Sequence, residues 1–326
     1  MVHNFIIWSE INISFVNSFV YFNKYSETSF VIFDSRHNQM NKLTLPVSVA
    51  KLIELIGDQT SFKASEITRL IREANIKIED LKDFEDFDHD KREGYGRKIV
   101  YRNDHFEILV MSWAPGDYTA IHNHGYTKWG AVQTFGKLEH VTFELNGEKL
   151  MTHMKEKLGN HEIIPVNQDL IHQMGNPFNQ NTLSLHVYGT PHKVDGITDN
   201  SELYEIGKGE IQLVNGGVFY DLPKSSYAVT DVELTADRLT MIGHYIQLLN
   251  YYHKAGIKGD QYQKAVNYFH DRSFESRLIT ELEMDNKSIL YLIELKKARN
   301  LLRKLEESTG TIDSILLDIN DPDTLS

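Results

Sequence analysis

The stretch I-H-N-H-G-Y-T-K-W-G, residues 121–130, holds two histidines with one residue between them. Extended backbone points alternate side chains to one face, so His122 and His124 are expected side by side. A third imidazole, His172, stands in the later run D-L-I-H-Q-M-G-N-P. Three neutral imidazoles would hold a divalent metal and leave open positions on it, which catalysis requires. Two histidines on a strand of an ordinary β protein would read the same, so the flanking sequence must decide.

Outward from that stretch, residues 95–220 alternate strand-like runs with turns. H-F-E-I-L-V-M-S-W, K-W-G-A-V-Q-T-F-G, E-H-V-T-F-E-L-N-G and T-L-S-L-H-V-Y-G are separated by Gly, Pro and Asn. Short strands at this spacing predict an antiparallel sandwich or barrel. Residues 12–45 predict further strands, and two helices should follow. One carries Leu52, Ile53, Leu55 and Ile56 between Pro46 and Gly57, and the other is capped by Ser65 and carries Ile67, Leu70 and Ile71. The polar stretch 83–94 is expected as a surface connection. Beyond 228 the pattern turns helical, with Leu239, Ile242, Ile246 and Leu249 at helical spacing and a long last helix suggested by Ile289, Leu292, Ile293, Leu301, Leu302 and Leu305. The expected division is an extension at 1–60, a β domain at 61–225 and a helical extension at 226–326.

The 326 residues carry a formal net charge of −12 and no cysteine. Disulfides, thiolate metal sites and a cysteine nucleophile are thereby excluded, and histidine and carboxylates remain as ligands. No long basic run is present, so no nucleic-acid partner is expected. No segment approaches the roughly 20 apolar residues needed to span a bilayer. The first residues, M-V-H-N-F-I-I-W-S-E, lack a basic segment and have a short apolar run. The expectation is a cytoplasmic chain without a membrane partner.

The flanking residues match two motifs of the cupin barrel. Gly116, His122, His124, position 129 and Gly136 follow the spacing of the first, and Gly159, Pro165, His172 and Asn176 that of the second. Asn167 replaces a usual glycine, and two extra residues precede His172. Position 129, usually acidic, is Trp129. Within the cupins the chain resembles the thiol dioxygenases, of which cysteine dioxygenase is the best known. Tyr95-Gly96-Arg97 is similar to that family's Tyr-x-Arg, Ser184-Leu185-His186-Val187-Tyr188 to its Ser-x-His-x-Tyr, and M-S-W-A-P-G-D-Y-T-A-I-H-N-H to its approach to the first metal motif. The resemblance implies a mainly β fold, a cupin antiparallel jelly-roll barrel, with N-terminal strands and helices and a C-terminal helical extension.

It also implies an Fe(II) enzyme that uses O₂ to convert a cysteine-like thiol to its sulfinate. His122, His124 and His172 would hold the iron. Arg97, helped by Tyr95, would bind the substrate carboxylate, since a guanidinium offers a planar fork that stays charged. Ser184, His186 and Tyr188 would form a hydrogen-bonded chain ending in a phenol near the metal. Three alternating polar residues on an exposed sheet face would look the same. In animal members of the family a cysteine at position 129 is cross-linked to the relay tyrosine, and bacterial members often have glycine. Here Tyr188 must be a free phenol, and Trp129 is expected either to line the substrate pocket or to turn away. If the strand bulges, Gly130 would supply the small residue. His140, His153, His161 and His192 are expected at the surface.

Other readings share these residues. The strands and helices at 12–75 look like small peptide-recognition modules, so a cysteine-containing peptide could be the substrate. A non-catalytic cupin, sensing a metal and using its helical C-terminus as a partner surface or homodimer contact, is the alternative outside enzymes.

Overall fold

A computed structural model of the chain describes residues 18–21, 29–34, 39–270, 293–294, 296–301 and 303, and gives side chains from Leu45 to Phe269 and at the nine later positions. It divides into two compact units, Met1–Leu45 and Pro46–Ser326. In the first, β1 (Ser18–Tyr21), β2 (Ser29–Asp34) and β3 (Gln39–Thr44) form an antiparallel sheet in which each strand pairs with the next. This is where strands were expected, although residues 12–17 lie outside the described residues.

The second unit opens with α1 (Val47–Ile56), which buries Val49, Leu52 and Ile56 and ends at Gly57, whose φ is positive at 56°. Helix α2 (Ala64–Ala74) buries Ile67, Leu70, Ile71 and Ala74. Its cap is not Ser65. The chain turns at Lys63, whose N–H is accepted by Glu66 at 2.7 Å, so Ser65 already lies in the first turn. Within the stretch read as a surface connection, Phe84 and His89 are buried.

Mostly antiparallel strands follow. β4 (Gly96–Arg102), β5 (Phe106–Trp113), β11 (Thr182–Gly189), β6 (Trp129–Phe135) and β9 (Ile163–Val166) form a five-stranded sheet in that order. β10 (Ile171–Gly175), β7 (Leu138–Asn146), β8 (Lys149–Leu158) and the two-residue β15 (Thr235–Ala236) form a second sheet. β12 (Ser201–Glu205), β13 (Glu210–Val214) and β14 (Tyr227–Val229) form a third. Sequence neighbours β5 and β6 are split by the late strand β11, the crossing expected of a jelly roll rather than a meander. The fold is a curled antiparallel half-barrel of the cupin type, as the resemblance implied.

Every residue of β5, β6 and β11 is buried. One face of this sheet looks into the half-barrel, and α2 packs on β6 and β9 from outside. Glu107, Ser184, His186 and Tyr188 are therefore interior residues. The exposed-face reading of Ser184–Tyr188 is overturned by burial on both sides.

Helix α3 (Arg238–Ala255) is capped by Asp237, which accepts from Thr240 N, and α4 (Asp260–His270) follows. Leu239, Ile242, Ile246 and Leu249 are buried, and they share one core with Leu109, Trp113, Tyr188, Ala298 and Leu301. Helix α1 packs on α2, α2 packs on β6 and β9, and α3 shares the barrel's core, so the expected divisions at 60 and 225 both fall within one compact unit. Ile289, Leu292, Leu302 and Leu305 lie outside the described residues. No helix among those described is long and apolar enough to cross a membrane.

Candidate metal centre and its surroundings

The loop from β5 to β6 brings the first two histidines in. They are not on a regular strand. His122 instead forms an isolated antiparallel bridge with His172, each backbone N–H donating to the other's carbonyl at 3.0 and 2.9 Å. That pair clamps the loop to β10. His124, two residues on, turns to the same side.

The ligand atoms of His122, His124 and His172 all lie within 4.8 Å of one another, and all three rings are buried. Ring centroids are 4.7 to 5.2 Å apart. Nδ1–H of His122 donates to Ala120 O at 2.8 Å, which turns Nε2 toward its companions. Neither ring nitrogen of His124 makes a well-formed hydrogen bond although both are buried, and only the Leu170 carbonyl lies near enough to act on the ring. Burial, then the proximity of the other imidazoles, pushes His124 and His172 well below the ordinary 6.5, and burial pushes His122 down to about 4. Three neutral nitrogen donors, with both nitrogens of His124 lacking a well-formed hydrogen bond, fit a divalent metal, and no carboxylate among the described residues completes the group.

Beside the histidines runs a line of hydrogen bonds along β11. Nε1 of Trp113 donates to Ser184 Oγ at 2.8 Å, Ser184 Oγ lies 2.7 Å from Nε2 of His186, and Nδ1 of His186 lies 2.6 Å from the Tyr188 hydroxyl. Residues at alternate positions share a face, so the chain is built into the strand. Ser184 accepts from Trp113 and so can donate to His186 Nε2. Nδ1–H of His186 then donates to the phenol oxygen and leaves the Tyr188 proton to point away. Burial holds His186 down at about 3, so it stays neutral, and raises Tyr188 far above an ordinary phenol. The rings of Tyr188 and His124 are 5.4 Å apart.

Arg97 lies in the same cross-strand row as Met111 and Ser184, and so on the same sheet face. Its Nη2 donates to Thr198 Oγ1 at 3.3 Å and stands 3.8 Å from Glu107 Oε1. Glu107 is fully buried and also accepts from Arg102 Nε at 2.8 Å. The Tyr95 hydroxyl accepts from Val218 N at 3.1 Å, and its ring stacks on Trp113 at 5.2 Å. Burial raises the Tyr95 phenol to about 12.

Trp129 is a correction. It pairs with Gly189, while its neighbour Gly130 pairs with Tyr188, so the two project to opposite faces. The indole Nε1 donates to Thr60 O at 2.8 Å, and the ring meets Phe62 at a centroid distance of 4.7 Å. A Cβ on Gly189 would stand 2.0 Å from that ring, so the indole fills the place a side chain there would take. Trp129 thus packs on the outer face and does not line the pocket. Gly130 is the residue facing Tyr188, at a place where a Cβ would meet Tyr188 Cδ1 at 3.0 Å. No bulge is needed, because the strand starts at 129 in regular register.

Sequence reasoning also missed His140. It was expected at the surface but is 4% exposed, with Nε2 3.0 Å from Nδ1 of His172. His153, His161 and His192 are exposed as expected. Glu107, Thr198 and Trp113 were not singled out either. A carboxylate inside the apolar run F-E-I-L-V-M was the available signal for Glu107.

Among solved structures, the chain is similar to an uncharacterized double-stranded β-helix protein from Klebsiella pneumoniae, with 15% identity and a TM-score of 0.26 over 31% of this chain and 80% of that one. It is also similar to the TT1209 protein from Thermus thermophilus, with 15% identity and a TM-score of 0.29 over 35% and 98%. The cupin domain of Cnp3 from Schizosaccharomyces pombe shows 9% identity and a TM-score of 0.26 over 29% and 61%. These likenesses are remote, and the fold is read from the strand order itself. The sequence profile described as Cysteine dioxygenase type I matches residues 35–198, a span that takes in all three histidines, Arg97 and Ser184–Tyr188. The match covers half of the chain, and the chain belongs to the cysteine dioxygenase type I family.

Proposed function

We propose that the chain is a mononuclear non-haem Fe(II) thiol dioxygenase acting on a small thiol that carries a carboxylate. The observation that carries this reading is the cluster of three buried, neutral imidazoles beside the chain of bonds that ends at Tyr188. Iron held by His122, His124 and His172 would supply the site at which thiolate and O₂ react to give a sulfinate.

The protein's own groups have separable tasks. Arg97 anchors the carboxylate and sets the direction from which the sulfur approaches. Its position supports a substrate with a free carboxylate, since Arg97 shares the sheet face of Ser184, His186 and Tyr188. Tyr188 offers a hydroxyl proton toward the reacting atoms, and its high pKa keeps that proton in place. His186 and Ser184 hold the phenol in orientation, and Trp113 fixes Ser184. Burial of Tyr188, His186, Ser184 and Trp113 keeps water from competing for their hydrogen bonds.

The test is anaerobic loading of the full chain with Fe(II), followed by O₂ uptake across a panel of cysteine, cysteamine, mercaptopropionate and cysteinyl peptides. Uptake coupled to a sulfinate product in mass spectra is expected for a carboxylate-bearing thiol. No uptake with any of them overturns the reading.

A further inference from the structure

The three histidines of the metal centre have unlike surroundings. His122 gives its Nδ1 proton to a neutral carbonyl, and His124 has no side-chain partner and at most a loose contact with the Leu170 carbonyl. His172 alone leads into a side-chain network. Its Nδ1 lies 3.0 Å from Nε2 of His140, and Nδ1 of His140 lies 2.9 Å from Oε1 of Glu156. The His140 and His172 rings are nearly perpendicular, at 81°.

Strand register creates this line. β10, β7 and β8 are adjacent, His172 and Met174 stand opposite Thr142 and His140, and His140 stands directly opposite Glu156. Three strands thus present His172, His140 and Glu156 on one face.

Proton positions follow from one requirement. With Nε2 of His172 turned to His122 and His124, its proton is on Nδ1 and is donated to Nε2 of His140. Neutral His140 then carries its proton on Nδ1 and donates it to the Glu156 carboxylate. Every link has one donor and one acceptor. The line starts at a buried ligand and ends at a carboxylate whose side chain is 37% exposed.

We infer that His140 and Glu156 are positioning residues of the metal centre, fixing His172 as an Nε2 ligand and making it the strongest electron donor of the three. The inference rests on the proposed function as a metal enzyme. A carboxylate acting through an imidazole polarises the ligand's N–H and raises the basicity of its opposite nitrogen. A backbone carbonyl does this more weakly for His122. The centre is therefore electronically lopsided, although its three ligands are the same residue type.

Co(II) serves as the probe, in a competition titration and in the visible spectrum of the Co(II)-loaded full chain. His140→Phe is expected to weaken Co(II) binding about 10- to 100-fold and to shift the ligand-field bands. His140→Gln, which can accept from His172 and donate to Glu156, should recover most of the affinity. Glu156→Gln keeps an acceptor without the charge and should fall between native and His140→Phe. Melting of the metal-free proteins separates these effects from loss of fold. A folded His140→Phe variant with native affinity and spectrum overturns the inference. If that variant does not fold, unchanged affinity and bands in Glu156→Gln overturn it. A native chain that binds no Co(II) overturns the metal-centre reading and this inference together, whereas failure confined to the variants strikes His140 and Glu156 alone.

Discussion

Arg97 is held on one side by Thr198, which accepts from its Nη2 and donates in turn to Glu107 Oε1 at 3.2 Å. A buried carboxylate without partners would be costly, and Glu107 has Arg102, Arg97 and Thr198. The arrangement holds Arg97 in orientation, which would lower the ordering cost of binding a carboxylate in the proposed role. Lysine would keep the charge but lose the fork. Arg97→Lys is expected to raise KM for a carboxylate-bearing thiol by roughly ten- to hundred-fold, the equivalent of one charge-assisted hydrogen bond. KM for cysteamine, which has no carboxylate, should not move. Equal effects on both thiols would remove the carboxylate role from Arg97.

At the scale of the strand, Trp129 illustrates how alternation sorts function from packing. Its indole lies on the outer face of β6 against Phe62, is 3% exposed, and donates to Thr60 O. Trp129→Ala is expected to cost about 3–5 kcal/mol of stability by leaving a cavity under the α1–α2 connection. It should leave the preference among thiols unchanged. A folded variant with altered preference in the O₂-uptake panel would return Trp129 to the pocket. Motif spacing located position 129 but could not say which face it takes, because one residue of register reverses the face. The same limit hid His140, whose partner Glu156 is fixed by β7–β8 pairing rather than by proximity in sequence. By contrast, His122, His124 and His172 and the Ser184–Tyr188 line were legible. The Ser184–Tyr188 line follows from two-residue periodicity on β11, and the histidines from spacing within a recognised motif.

Across the whole second unit, Asp117 links segments far apart in the chain. It is fully buried in the turn that leads to the loop of His122 and His124. One carboxylate oxygen lies 3.1 Å from Nε2 of His89, and the other accepts from Lys254 near the end of α3. Nδ1–H of His89 donates to Asp90 O at 3.0 Å, so the ring is enclosed between two acceptors. Burial alone would lower the His89 pKa and the Lys254 charge adds to that, but the hydrogen bond and charge of Asp117 and the Asp90 carbonyl outweigh them and raise it above 6.5. A histidine whose folded pKa exceeds its unfolded value binds its proton more tightly in the native state. Its stabilisation is therefore complete below the unfolded value and fades as pH rises through the folded one. His89→Gln should lower Tm markedly at about pH 5.5, and the gap from native should narrow by about pH 9, where His89 is neutral in both states. Thermal melts of the metal-free full chain in matched buffers measure that gap. A gap constant across this range would mean that His89 acts by shape alone. It would leave Lys254 as the charge that ties α3 to the loop carrying His122 and His124.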